Sequence, residues 1–263
     1  NSLRIVCPGG ENWTEKPWKW LFEFIGKSKV PIMNSAGGTE VSGSILHCCL
    51  HRPFKVGSFN APIPGMSADI LTLDGKKVSI DEMGELVMRK SSIGLTKSLW
   101  NDDDRYIKNY WSIIKDFWVH GDLASKDKDG HWFLHGRSDD TIKVSGKRIG
   151  PSELESVIVK SGKAKEVAAV GIPDENKGSK IILSIVLLEN SEEKESYFEN
   201  LVINDLGKSF KPDKIIFVKD LPKTRNMKIM RRVIKSCLTK EDPGDISTLL
   251  NPESVEEIRA HAI

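Results

Sequence analysis

Several short groups of residues in this 263-residue chain have the types and spacing for chemistry on a phosphorylated ligand. Asn34-Ser35-Ala36-Gly37-Gly38-Thr39-Glu40 sets small residues ahead of a hydroxyl and a carboxylate. Small residues let a ligand approach the backbone, and a Thr-Glu pair suits Mg²⁺ beside phosphate oxygens. Asp122, after Gly121, stands where the apolar run Phe117-Trp118-Val119 gives out. A carboxylate there accepts two hydrogen bonds from a cis-diol such as ribose. Taken singly, the first group is equally an ordinary loop, and Asp122 equally a turn residue bonded to its own backbone. Gly136-Arg137-Ser138-Asp139-Asp140 and Lys143-Val144-Ser145-Gly146-Lys147-Arg148-Ile149-Gly150 combine glycines with cations, which suits an anion or a solvated basic loop. Lys223, Arg225, Lys228, Arg231 and Arg232 form a basic run near the C-terminus. It reads either as a solvated helix face or as the source of one lysine delivered to a phosphate.

Other groups carry less. His47-Cys48-Cys49-Leu50-His51 lacks the spaced cysteine pairs of a structural zinc site and reads as strand or loop. Asp102-Asp103-Asp104 reads as a helix start, and Gly26-Lys27-Ser28 lacks the upstream glycine of a P-loop.

The elements that must position these groups change character along the chain. Leu3 to Cys7 reads as a buried strand, and Trp13 to Ile25 as a helix ended by Gly26. Ala68 to Leu73 and Lys76 to Ile80 around Asp74-Gly75 predict a hairpin with a type I′ turn. Glu85 to Met88 and Trp132 to Leu134 read as further strands. Beyond Asp139-Asp140 helices alternate with strands: helix from Pro151 to Lys160, strands Val167 to Ile172 and Ile181 to Leu188, helix from Ser191 to Leu206, strand Ile215 to Val218, helix from Ile229 to Leu238. The run from Ile181 is apolar enough for burial on both faces. The pattern predicts a mixed α/β (α+β) fold in two parts: a strand-rich region over 1–138 and a smaller α/β domain over 139–263.

With 39 basic against 37 acidic residues, the net charge of +2 argues against nucleic acid as the partner. The longest apolar run is too short to span a bilayer, no basic-then-apolar leader opens the sequence, and four cysteines make no disulfide framework. A soluble, cytoplasmic protein is expected. The apolar residues directly behind Asn1 suggest that the sequence starts inside a strand.

Taken in order, the groups resemble the AMP-forming acyl-CoA synthetases of the adenylate-forming superfamily, acetyl-CoA synthetases most of all. Leu3 through Gly10, Glu11 and Asn12, with Trp18-Lys19-Trp20, look like the adenine-contacting segment. Asn34 to Glu40 looks like the adenine and magnesium loop, and Gly121-Asp122 with Gly136-Arg137 like the ribose stretch. Lys143 to Gly150 and Pro151-Ser152-Glu153-Leu154-Glu155 look like the loop that faces CoA. Pro222 to Arg232 looks like the catalytic-lysine segment, and Gly244 to Leu249 like the tail.

The resemblance implies ATP, AMP, CoA and Mg²⁺ as ligands and a carboxylic acid as substrate. The acid joins ATP to give an acyl-adenylate and pyrophosphate, and the acyl group then passes to CoA. By the same resemblance Gly10, Glu11, Asn12, Asn34 and Ser35 meet the nucleotide, Thr39 donates to phosphate and Glu40 binds Mg²⁺. Asp122 and Arg137 fix the ribose, and Arg148 compensates phosphate charge. Lys228 bridges carboxylate and α-phosphate. Asp139 is the hinge about which Lys228 leaves and Ser145-Gly146 arrives.

Four departures qualify the likeness. The family's N-terminal phosphate-loop region is not in this sequence, so the isolated chain is expected not to form acyl-adenylates. A separate partner chain carrying that region is one expectation, and the apolar side left by its absence would favour a homo-oligomer. Ala36 and Gly37 stand where bulky tryptophans are usual, which implies an acid larger than acetate in a pocket opened at Gly37. Asn226-Met227 replace the usual Ser-Gly before the lysine, and Ile203 replaces an arginine for CoA phosphate. The competing reading is a non-catalytic nucleotide-binding or interaction module on the same scaffold.

Overall fold

The computed structural model describes residues 2–10, 13 and 15–263, so Glu11 and Asn12 lie outside the described residues. The chain forms two compact units, Asn1–Asp139 and Asp140–Ile263.

The first unit opens with a segment that differs from expectation. Residues 3–7 form no strand; Val6 makes one parallel bridge to Ile32, and Leu3 and Ile5 are exposed. With a single neighbouring segment to pair with, three alternating apolar residues have no sheet to enter. Helix α1 (Glu15–Trp20) continues as a π-type turn over Leu21–Ile25 and ends at Gly26. Its Trp18 is buried, while Ile25 faces outward.

Strands β1 (Ser35–Gly38), β2 (Gly43–His47) and β3 (Ala61–Pro62) form an antiparallel sheet. A second antiparallel sheet runs β4 (Ala68–Leu71), β5 (Gly84–Met88), β6 (Trp118–Lys126), β7 (Trp132–Arg137). Helix α2 (Asp103–Tyr106), capped by the Asp102 carboxylate, precedes a π-type turn over Ile107–Trp111. Ile45, Leu46, Phe59, Leu86, Met88, Trp118 and Trp132 make the core between these parts.

The hairpin expected at Asp74-Gly75 is only half present. Asp74 keeps an ordinary negative φ and Gly75 has φ +79°, so the loop is the three-residue kind rather than type I′. The arm after it makes one bridge, Leu71 to Lys77, because β4 pairs instead with the wholly buried β5.

In the second unit β8 (Ile142–Val144) and β9 (Lys147–Ile149) make a two-stranded hairpin. Helix α3 (Pro151–Lys160) starts with proline at its first position, and the Glu153 side chain accepts from the Gly150 N–H. Strands β10 (Ala164–Asp174) and β11 (Gly178–Leu187) pair antiparallel, and β12 (Lys214–Phe217) joins β11 in parallel. Helix α4 is Glu195–Leu206, α5 is Arg231–Thr239 and α6 is Glu253–Arg259.

β11 is sandwiched. Ile181, Leu183 and Ile185 pack with Leu154, Ile158, Phe198 and Val202 of α3 and α4, while Ile182 and Val186 pack with Val233, Ile234, Leu238 and Ile258 of α5 and α6. Each such fully buried side chain contributes about 1.5–3 kcal/mol. The sequence missed α6, whose ESVEEIR stretch is short and mostly polar. Among the described residues no helix is long and apolar enough to cross a membrane.

Candidate active site

The parallel approach of Val6 and Ile32 brings the chain ends that follow them, Pro8-Gly9 and Asn34-Ser35, to one place. There they line a shallow, solvent-open cleft, with Trp13, Gly57, Phe59 and Leu134 as its other walls. The backbones come close: a Cβ on Gly9 would lie 3.7 Å from the Ser35 carbonyl oxygen. Asn34 is fixed by donating to the Ser58 carbonyl at 3.0 Å, and its buried Oδ1 has no protein partner, so the wall keeps an acceptor unsatisfied. Gly10 follows at φ +104° and is exposed.

Asp122 and Arg137 are cross-strand partners on β6 and β7. The guanidinium donates to the His120 carbonyl at 3.0 Å, lies 3.7 Å from Asp122 Oδ1, and its Nε donates to Asp139 at 3.1 Å. Gly121 makes this possible. Its φ is +82°, and a Cβ there would be 2.7 Å from Arg137 Nη2. Residues of ribose type and the expected hinge residue Asp139 therefore share one hydrogen-bonded group.

Glu40 sits in the single 3-10 turn Thr39–Val41 behind β1, half-buried, while Thr39 is exposed. The Tyr110 hydroxyl donates to Glu40 Oε1 at 3.0 Å. Burial, then this hydrogen bond to a carboxylate, holds the Tyr110 phenol above its ordinary range. One oxygen-rich carboxylate fits a magnesium ion that keeps most of its waters and shares phosphate oxygens.

The pocket expected at Gly37 is not found. A Cβ at Gly37 would lie 2.1 Å from the Gly43 carbonyl oxygen and 2.5 Å from Ser44 Cα, because a bulge between Ala36 and Gly37 presses β1 onto β2. Glycine here permits close strand approach. It does not open a volume on the side-chain side.

In the second unit, Lys228 closes a tight loop. Thr224 N–H donates to the Lys228 carbonyl at 2.9 Å, Lys228 N–H to Thr224 Oγ1 at 3.2 Å, and Lys223 bridges Ile229. Met227 occupies the left-handed position at φ +64°, where glycine is free of penalty. The Lys228 side chain is exposed.

The loop stands on a buried base that the motifs did not reveal. Lys223 Nζ lies 2.6 Å from Asp220 Oδ1 and 2.6 Å from Glu166 Oε2, and Asn251 donates to Asp220 at 2.7 Å. Burial opposes ionisation of Lys223, yet bonds to Asp220 and then Glu166 outweigh it and raise its pKa. The tail joins in, with Leu250 N–H donating to the Lys223 carbonyl at 2.8 Å.

Ser145 (φ +49°) and Gly146 (φ +80°) form the type I′ turn of the β8–β9 hairpin, exposed along with Arg148. The Ser145 N–H donates to the Lys177 carbonyl at 2.8 Å, which anchors the turn to β11's start. Half-buried Ile203 lies on α4.

Residues 153–228 match the family of AMP-binding enzyme C-terminal domains. The acetyl-coenzyme A synthetase of Methanothrix thermoacetophila is 38% identical over 264 residues, covering 98% of this chain and 40% of that protein. That of Pasteurella multocida is 37% identical over 270 residues, covering 98% and 41%. The fold is shared with acetoacetyl-CoA synthetase from Streptomyces lividans, at a TM-score of 0.83 and 22% identity over 98% of this chain and 40% of that one. An anthranilate CoA ligase in complex with anthranoyl-AMP gives a TM-score of 0.75 at 26% identity, over 89% and 44%. The chain thus spans about 40% of the length of the curated relatives it matches.

Proposed function

We propose that this chain, which belongs to the adenylate-forming acyl-CoA synthetases, supplies the nucleotide-holding and lysine-bearing part of an enzyme converting a carboxylic acid, ATP and CoA to acyl-CoA, AMP and pyrophosphate. The observation that carries this reading is the Asp122–Arg137–His120 group, in the same compact unit as the cleft edged by Asn34 and Ser35. Asp122 accepts from the two ribose hydroxyls, and Arg137, 3.7 Å away, keeps it aimed. The base lies in the cleft against the bare backbone of Gly9 and Gly10. Glu40 and Thr39 take the phosphate end, Glu40 as the ligand of Mg²⁺, whose charge offsets that of the phosphates.

Lys228 offsets the repulsion between substrate carboxylate and α-phosphate as they approach, and Arg148 offsets further phosphate charge. Asp139 is the hinge, and the Ser145-Gly146 turn presents backbone to the CoA thiol arm in the second half-reaction. An acid larger than acetate is kept for the acyl group on Ala36 alone, whose methyl stands where the resemblance leads one to expect a bulky side chain, because a side chain at Gly37 would run into β2.

The test is pyrophosphate release with ATP, Mg²⁺, CoA and acetate, butyrate or 2-methylbutyrate. It is run on the chain alone and with the N-terminal part of a relative added as a second polypeptide. No release alone, release on addition, and preference for a branched or longer acid are expected. Silence in both arms overturns the catalytic reading. Preference for acetate overturns the substrate reading.

Met227 at φ +64° favours one alternative, a nucleotide-binding module without turnover, because strain next to Lys228 hinders its delivery. Lys228→Ala separates the two: it abolishes turnover in an enzyme and leaves AMP binding of a module unchanged.

A further inference from the structure

Two side chains that no motif singles out stand against the two carboxylates of the nucleotide site. Tyr110, in the turn after α2, donates to Glu40 Oε1 at 3.0 Å. His120 on β6 is only 6% exposed, and its Nε2 lies 3.3 Å from Asp122 Oδ2. One indole joins them. The Tyr110 and Trp118 rings stack at 5.3 Å with 1° between their planes, and Trp118 meets the His120 imidazole at 5.4 Å. Gly38 completes the arrangement, for a Cβ there would lie 2.9 Å from Glu40 Oε2 and 3.2 Å from His120 Cε1. The carboxylate and the imidazole thus flank one bare backbone position.

Resting on the function proposed above, we propose that Tyr110 and His120 are positioning residues, coupled through Trp118, that hold Glu40 and Asp122 in one fixed register for the two ends of a nucleotide. The carboxylates sit on different elements, Glu40 in the turn behind β1 and Asp122 on β6. Separate tethers would let their spacing drift, whereas three rings in series, Tyr110 stacked on Trp118 and His120 tilted against it, resist compression. Tyr110 takes one oxygen of Glu40 and leaves the second for a cation. Burial holds the His120 imidazole below its ordinary range, against Asp122 and Glu40, which favour its charged form, and with Arg137, which disfavours it. A neutral ring has one N–H, and an Nε2–H directed at Asp122 Oδ2 would orient that carboxylate.

The test uses the full chain and the variants Tyr110→Phe, His120→Leu and His120→Gln. Metal-free AMP affinity and the Mg²⁺ concentration at half-maximal ATP binding are measured by titration calorimetry. His120→Leu is expected to weaken AMP at least tenfold, and His120→Gln, which keeps a donor near Asp122, to recover most of that loss. Tyr110→Phe is expected to raise the Mg²⁺ midpoint several-fold more than it alters AMP affinity. Unchanged AMP affinity in His120→Leu, or equal shifts of both quantities in Tyr110→Phe, overturns the proposal.

Nitrogen NMR of the imidazole decides without any nucleotide, so failure of the enzyme reading stays distinguishable. An Nε2–H tautomer that loses its preference in Asp122→Ala is expected. An Nδ1–H tautomer in the unsubstituted chain contradicts the positioning role.

Discussion

Single residues set the geometry at two points where side chains meet backbone limits. Gly121 combines φ +82° with a guanidinium 2.7 Å from where its Cβ would stand. Gly121→Ala is therefore expected to cost about 1–2 kcal/mol in backbone strain and to push Arg137 off Asp122. A lower melting temperature together with weaker AMP binding checks it. Met227 shows the converse case, a bulky residue at φ +64°. Met227→Gly removes a penalty of about 1–2 kcal/mol and adds roughly 0.5–1 kcal/mol of unfolded-state freedom, so a gain of up to about 1 kcal/mol is expected. A melting temperature that falls contradicts it.

At this scale Asp122 and Arg137, singled out by type and order along the chain, are paired across β6 and β7, and Lys228 stands exposed in its loop. Tyr110 and His120 were not legible, since what marks them is contact the fold creates, Tyr110 with distant Glu40 and with the Trp118 ring that also meets His120. Gly37 misled for a related reason: a sequence reports a missing side chain but not which way it would have pointed.

Elements were legible where local signals and packing agree. Helix α3 has proline at its start, Glu153 in its first turn and Gly162 past its end, and it forms where expected. Strand β11 reads as two-faced because Ile181 to Val186 meet apolar helices on both sides. Residues 3–7 and the arm after Gly75 have the same alternation but only single bridges, so pattern without a pairing partner gave no strand.

The base under the Lys228 loop is the least legible part, built from Glu166, Asp220, Lys223 and Asn251 on separate elements. Its pH response follows from its charges. Burial opposes ionisation of Asp220, but bonds from Lys223 and from Leu221 outweigh it and lower its folded-state pKa. A carboxylate with a depressed folded pKa adds stability above its unfolded value of about 4, and that stability is lost as pH falls through the folded value. Asp220→Asn is accordingly expected to flatten the fall in stability below about pH 4. Denaturant titrations at several acidic pH values check this, and an unchanged acid slope contradicts it.

At the scale of the whole molecule, each compact unit has its own core. In Asp140–Ile263 apolar clusters cover both faces of the β10–β11–β12 sheet. Residues 140–263 alone are therefore expected to unfold in one cooperative transition by circular dichroism. A gradual, non-cooperative melt contradicts that. The composition is consistent with this division: near-neutral charge and ordinary apolar content fit a small-molecule enzyme better than a nucleic-acid binder. The central claim, however, concerns the first unit, where cleft and carboxylate belong to one nucleotide site. Titration calorimetry of AMP into the full chain and into Asp122→Ala tests it most directly. Saturable one-to-one binding that weakens about 10- to 100-fold in the variant is the predicted result, the loss expected for hydrogen bonds to a charged group. Absence of binding, or binding that Asp122→Ala leaves intact, would contradict the account.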